Sequence, residues 1–214
     1  MTNATNFLLF QVDSPREQGI SIANAFTKFC NDSRLGLTVH RAACAIEKPQ
    51  MYLYAKLPSQ MSIQLETCQA LRAIFIKTCG IDCRVSRLQL ALQPDAVSSS
   101  EIPKFHYVVE TDTDDNWFEK IAKWYDEEHM LGLAAVPGCI RAMRLVNLDA
   151  KNDEKNETKD NRPRSFACYD LTSPDVLVSP PWLAVRHTAW SDVARPHFTN
   201  TLRTMMTVLE TTKL

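Results

Sequence analysis

The segment Trp117–Arg144, WFEKIAKWYDEEHMLGLAAVPGCIRAMR, gathers most of the side chains that could do chemistry. Tyr125 and His129 stand at i and i+4, so a helix puts them on one face, with Ile121 a turn earlier. An imidazole set among Ile121, Trp124 and Tyr125 is partly desolvated, and desolvation disfavours its charged form. A neutral imidazole can accept a proton, and histidine is the side chain best poised for that near neutrality. Asp126, three residues before His129, is placed to orient it. The bland alternative is a helix-end histidine that satisfies backbone carbonyls and complements the helix dipole. Asp126, Glu127 and Glu128 also form an acidic run. Consecutive helix residues point about 100° apart, so at most one or two of them could face a common cleft, and Glu127 reads as solvated.

His106 is the second candidate. On an alternating strand it shares a face with Val108 and Glu110, while Phe105, Tyr107 and Val109 share the other. From a central strand it could enter the same cavity as His129, or it could be a satisfied core histidine. Arg195 and Asn200, in SDVARPHFTN, could bind a carboxylate or carbonyl oxygen, since arginine offers a rigid donor fork; surface capping competes with that reading. His187 and His197 precede the last expected strand. All four tryptophans, Trp117, Trp124, Trp182 and Trp190, fall in the second half. They could line an apolar ligand pocket or fill the core.

Composition excludes much other chemistry. Only 5 of the 214 residues are glycine, against roughly 15 for an average chain of this length. No two have the spacing of a dinucleotide fingerprint or a phosphate-cradling loop, and no G-x-S-x-G elbow occurs. The net charge of −1 removes the general attraction to phosphate backbones, so no nucleic-acid partner is expected. The 7 cysteines are odd in number and scattered, which predicts reduced thiols and a cytoplasmic protein with no secretory signal. Cys79 and Cys83 lack nearby zinc co-ligands, so no metal is expected; with no nucleotide or phosphate loop, no cofactor is expected. The uncharged run Leu131–Ile140 is too short to span a bilayer, so no membrane partner is expected.

The elements that must position these groups follow from periodicity. Strands are predicted at 7–13, 37–46, 51–57 and 81–92, with helices at 20–31 and 62–79 and Gly80 as a C-terminal stop. A linker, QPDAVSSSEIP, covers 93–103. The same order then returns: strand 105–111, helix 116–136 with a break near Met130, strands 139–148 and 164–171, helical residues within 174–187 and a last strand 201–211. Segment 150–163 carries 8 charged residues and reads as an exposed loop. YLYAKLPS (52–59) and ACYDLTS (167–173) each run from a tyrosine through a leucine to a serine two residues on, a match that supports a duplication. The expected class is α+β: tandem ferredoxin-like βαββαβ repeats fused as a dimeric α/β-barrel-type unit. The expected boundaries are a degenerate repeat at 1–93, a linker at 94–103 and a second repeat at 104–214.

KWYDEEHMLGLAAVPGCIRAMRL resembles the signature of the dimeric α/β-barrel superfamily, in particular its EthD-like branch. There a helix with W-Y-x-x-E-H leads into V-P-G and a strand bearing an arginine. Tyr169-Asp170-Leu171, the SPPW of 179–182, Trp190, Arg195 and Arg203 extend the resemblance over roughly residues 104–212. It implies a pocket between helices and sheet beside His129. The superfamily hosts isomerases, decarboxylases, dehydratases, cofactor-free oxygenases, heme enzymes and proteins without known chemistry. The expected function is a cofactor-independent enzyme acting on a small hydrophobic substrate (aromatic, polyketide-like or catabolic) by isomerisation, decarboxylation or elimination. His129, Asp126 and His106 are its expected catalytic residues. Tyr125, Trp124, Arg195, Trp182 and Tyr169 are its expected substrate contacts. A non-catalytic small-molecule carrier is the alternative; a cofactor-free monooxygenase and a heme protein stand behind it. A homodimer stays open.

Overall fold

A computed structural model describes residues 4–150 and 163–210; most of the charged segment expected at 150–163 lies outside them. The chain is mixed α+β and divides into two compact units, Met1–Gln89 with Met206–Leu214, and Leu90–Met205. No helix among the described residues is long and apolar enough to cross a membrane.

In the first unit the order is β1 (Ala4–Asp13), α1 (Gly19–Asn31), β2 (Thr38–Ala45), β3 (Gln50–Ser62), α2 (Leu65–Cys79) and β4 (Arg84–Leu92), which begins here and runs into the second unit. The strands pair antiparallel in the order β4-β1-β3-β2, and Met206 to Val208 add a short run beside β2. The helices bury Ile22, Phe26, Phe29, Leu71 and Phe75 against Leu8 and Phe10 of β1. Phe10 packs on Phe26, Phe29 and Phe75 with ring centroids 5.4, 5.3 and 5.1 Å apart. Each such pair adds about 0.5–1.5 kcal/mol beyond its buried area. Gly80 ends α2 at φ +72°, as the sequence predicts.

The second unit contains β5 (Phe105–Thr113), α3 (Phe118–Trp124), a π-helical turn (Tyr125–His129), α4 (Met130–Ala134), β6 (Cys139–Asn147) and β7 (Ser165–Leu171). A 3-10 turn (Pro174–Val178), α5 (Pro180–Arg186), α6 (Ala189–Ala194), a second 3-10 turn (Arg195–His197) and β8 (Phe198–Val208) follow, and the end of β8 passes into the first unit. Its strands lie in the order β8-β5-β7-β6. Tyr107 stands opposite Tyr169, and His106 opposite Asp170. Strand alternation therefore separates an aromatic face, which packs under the helices, from a face carrying His106, Val108, Cys168 and Asp170. The helix expected to break near Met130 instead runs through a π turn, in which the Met130 N–H bonds the Tyr125 carbonyl five residues back.

Candidate active site

The helical run that carries the site is stopped by Val136-Pro137-Gly138. Gly138 has φ +88°, and a Cβ there would lie 2.6 Å from Val176 Cγ2 and 2.9 Å from Thr172 Oγ1. Only glycine combines that dihedral with that approach. Opposite, Ser179 caps α5, accepting the Trp182 N–H at 3.4 Å, and Pro180-Pro181 supply preset φ in its first turn. This cap turns Trp182 inward, where it is 2% exposed. At the start of α6, the Thr188 hydroxyl bonds Glu128 Oε1 at 2.6 Å, so Glu128 ties this helix to the π turn.

Between these helices and the aromatic sheet face lies a cavity of about 60 Å³ within the second unit. Trp124, Tyr125 and His129 enter it from the helical run, Tyr107 and Tyr169 from the sheet, and Trp182 from α5. Arg186, Arg195 and Arg203 complete its rim. The His129 ring stacks on Trp124 with centroids 4.1 Å apart and meets the Tyr125 ring at 69°. Phe198 packs behind both, 5.9 Å from Trp124 and 6.2 Å from Tyr125. Trp182 meets Tyr169 edge-on at 5.2 Å, and the Tyr169 hydroxyl donates to Met130 Sδ at 3.2 Å.

His129 is 8% exposed, and its Nδ1 is buried with no hydrogen-bond partner among the described residues. Burial, then the charges of Arg195 and Arg186, push its pKa down to about 3. The imidazole is therefore neutral at physiological pH. Leaving such a group unsatisfied costs about 1–3 kcal/mol; together with its place in a cleft this makes His129 a candidate functional group. Burial also raises the Tyr107 hydroxyl, partly opposed by Arg203, Arg186 and Arg195. Tyr125 and Tyr169 are pushed well above the usual tyrosine range, again by burial. All three phenols stay protonated and can donate.

Of the residues singled out in the sequence, Trp124, Tyr125, His129, Tyr169, Trp182 and Arg195 come together here. Asp126 does not orient His129. It makes a two-pronged bond to Arg144 of β6, at 2.9 and 2.8 Å. The wider π turn removes the side-by-side placement that residues three apart have in an α-helix. His106 does not share the cavity either. It lies on the other sheet face, 1% exposed, with Nδ1 2.8 Å from Asp170 Oδ1; Arg141 Nη1 stands 3.6 Å from the other carboxylate oxygen. Asn200 bonds Asp112 instead. His197 bonds Asp114 and stacks on Trp117.

Tyr107, Arg186 and Arg203 line the cavity but were absent from the expected site. Tyr107 was legible as the i+1 neighbour of His106 on the aromatic face, and Arg186 as the i+4 neighbour of Trp182. The place of Arg203 at the cavity was hidden. Asn200, at φ +47°, breaks the strand alternation, so Phe198 and Arg203 both reach the cavity despite their odd separation. Among the described residues no group of three or more His, Cys, Asp or Glu is placed to hold a metal.

No protein-family model matches the chain, and no curated protein matches it in sequence. Solved structures do match. An anthrone oxidase-like protein superposes with a TM-score of 0.64 at 13% identity, covering 97% of this chain and 92% of its own. A candidate monooxygenase from Lactobacillus acidophilus gives 0.58 at 11%, covering 97% and 100%. Another, from Fusobacterium nucleatum, gives 0.61 at 11%, covering 98% and 94%. These neighbours have the dimeric α/β-barrel fold, and the likeness shows fold. They also overturn the functional expectation: isomerisation, decarboxylation or elimination is expected from the sequence, whereas these neighbours carry the names of an anthrone oxidase-like protein and of candidate monooxygenases.

Proposed function

We propose that the second unit houses the active site of an oxidase or monooxygenase for a small aromatic substrate, with dioxygen as the electron acceptor. The two units, on this reading, are tandem ferredoxin-like repeats of the EthD-like kind. The observation that carries the functional reading is the neutral His129, with an unpartnered Nδ1, stacked on Trp124 inside an aromatic cavity. Its task is to take a proton from an activated C–H or phenolic O–H of the substrate. The anion left behind is electron-rich and reduces dioxygen. Where a ring methylene is oxidised, CH2 plus O2 becomes C=O plus H2O, which balances without another reductant. The Tyr107 and Tyr125 hydroxyls are donors for oxygen atoms that gain charge in the reaction.

The cavity is small beside the 300 Å³ or so at the lower end of ligand pockets. Substrate entry therefore requires the rim to move, and the half-buried Arg186 and Arg195 with the exposed Arg203 form that rim. The test is oxygen uptake with anthrone and with smaller hydroxyarenes, comparing the wild type with His129→Gln. Enzyme-dependent uptake that falls by about 10²–10⁴-fold in the variant is expected for loss of a general base. No uptake above the spontaneous rate with any of these substrates, or a variant as active as the wild type, overturns the reading.

A further inference from the structure

We propose that Arg186, Arg195 and Arg203 form an oxyanion subsite at the rim of the cavity, so that the natural substrate is an aromatic anion bearing a carboxylate or an ionised phenol. The proposal rests on the reading of this cavity as a substrate site.

Three separate elements, α5, the 3-10 turn before β8 and β8 itself, each deliver one guanidinium to the same small cavity. Among the described residues none of the three is paired with a carboxylate, and no acid lines the cavity. Elsewhere this chain does pair its arginines: Arg144 with Asp126, Arg72 with Asp82 and Arg141 with Asp170. Three like charges gathered beside an apolar wall repel one another unless an anion joins them. One of them is held in place by a group that leaves most of its donors free: Arg195 Nη1 donates to the Arg186 carbonyl at 3.2 Å. Arg203 stands near enough to the Tyr107 hydroxyl for its charge to favour the ionised phenol. Each guanidinium carries five N–H donors in a fixed fork that matches a carboxylate edge.

The walls supply the rest of the recognition. Trp124, Trp182 and Tyr169 offer ring faces and edges to a planar group. An oxyanion seated on the arginines would fix one end of that ring and present the remainder to His129. It would also cancel the arginine charge that now opposes an imidazolium at His129, so binding would make this base more effective only when substrate is present.

The experiment is calorimetric titration of the whole protein with benzoate, with its neutral isostere benzamide and with pentafluorophenol, which is a phenolate near neutral pH. The wild type should bind benzoate or the phenolate at least about tenfold more tightly than benzamide, and added salt should weaken only the anions. The two anions distinguish a carboxylate source from a phenolate source. In Arg186→Gln/Arg195→Gln the preference should collapse to about unity while benzamide affinity changes little. Equal affinity for anion and amide in the wild type overturns the proposal without any variant. So does a preference that survives the double substitution. Because binding is read without turnover, anion preference with no oxygen uptake would sink the oxidase reading alone. Oxygen uptake from neutral substrates with no anion preference would sink the subsite alone.

Discussion

Acidification should weaken this protein through His129. The folded state holds that imidazole at a pKa of about 3, against an ordinary value of 6.5, with burial the first cause and the Arg195 and Arg186 charges the second. The pKa is depressed on folding, so the unfolded chain takes up the proton first. Stability is then full above pH 6.5 and falls as the pH drops toward 3. At about 1.36 kcal/mol per pH unit, the whole window is worth about 5 kcal/mol, of which about 2 kcal/mol is gone by pH 5. The assay is urea unfolding at about pH 7.5 and pH 5 for the wild type and for His129→Gln, which cannot titrate. Histidines elsewhere act equally on both proteins and cancel. The wild type should lose about 2 kcal/mol more than the variant across this interval. High salt should recover only a small part of that loss, because desolvation is not screened. Equal losses in the two proteins would refute the reasoning, as would an imidazole resonance of His129 that titrates near pH 6.5 in the folded state.

Three further outcomes follow from other contacts. Gly138→Ala should cost about 2–4 kcal/mol in thermal or urea unfolding, combining a left-handed backbone with overpacking against Val176; an unchanged midpoint would contradict the close approach. Asp126→Asn should cost about 1–3 kcal/mol, because the Arg144 side chain, only 7% exposed, loses its charged partner. Its turnover per folded molecule should stay within about twofold, since Asp126 does not touch His129; lost turnover at full stability would return the carboxylate to the chemistry. Burial raises Cys30, Cys79, Cys83 and Cys139 to about 12. Their thiols should therefore react with a disulfide reagent near pH 8 far more slowly in the folded protein than in urea, with the half-buried Cys79 first; equal rates in both states would show that this protection is absent.

The sequence made the order of elements legible because strand alternation, helical spacing and turn residues such as Gly80 and Gly138 are local signals. It also brought out Trp124, Tyr125, His129 and Trp182, which sit at helical spacing or beside a capping serine. It failed where the answer depends on what lies across a gap. Alternation divided β5 into a His106 face and a Tyr107 face but could not say which one the helices cover. The covered face is the aromatic one, and the buried polar face satisfies its histidine with Asp170. Asp126 was assigned by α-helical geometry, and a π turn, whose hydrogen-bond register no residue type announces, rotated it to Arg144. The resemblance named Arg203, but its place at the cavity depends on a single left-handed residue, Asn200.

The proposal that chemistry belongs to one unit rests on a contrast between the two interiors. Both place helices against the face of antiparallel strands, but the interiors differ in kind. In the first unit Phe10, Phe26, Phe29 and Phe75 close on one another. These rings expose no donor, no acceptor and no proton to exchange, so close packing is their best state. In the second unit Tyr107, Tyr125, Tyr169, His129 and two tryptophans line the space beneath the helices, and arginines reach its rim. A purely structural core would gain by replacing such groups with aliphatic ones, which leave no orphaned nitrogen and no clustered charge. That they stand together around one cavity, with His129 Nδ1 unsatisfied among the described residues, is what supports the proposed site for a polar aromatic partner over a core that failed to close.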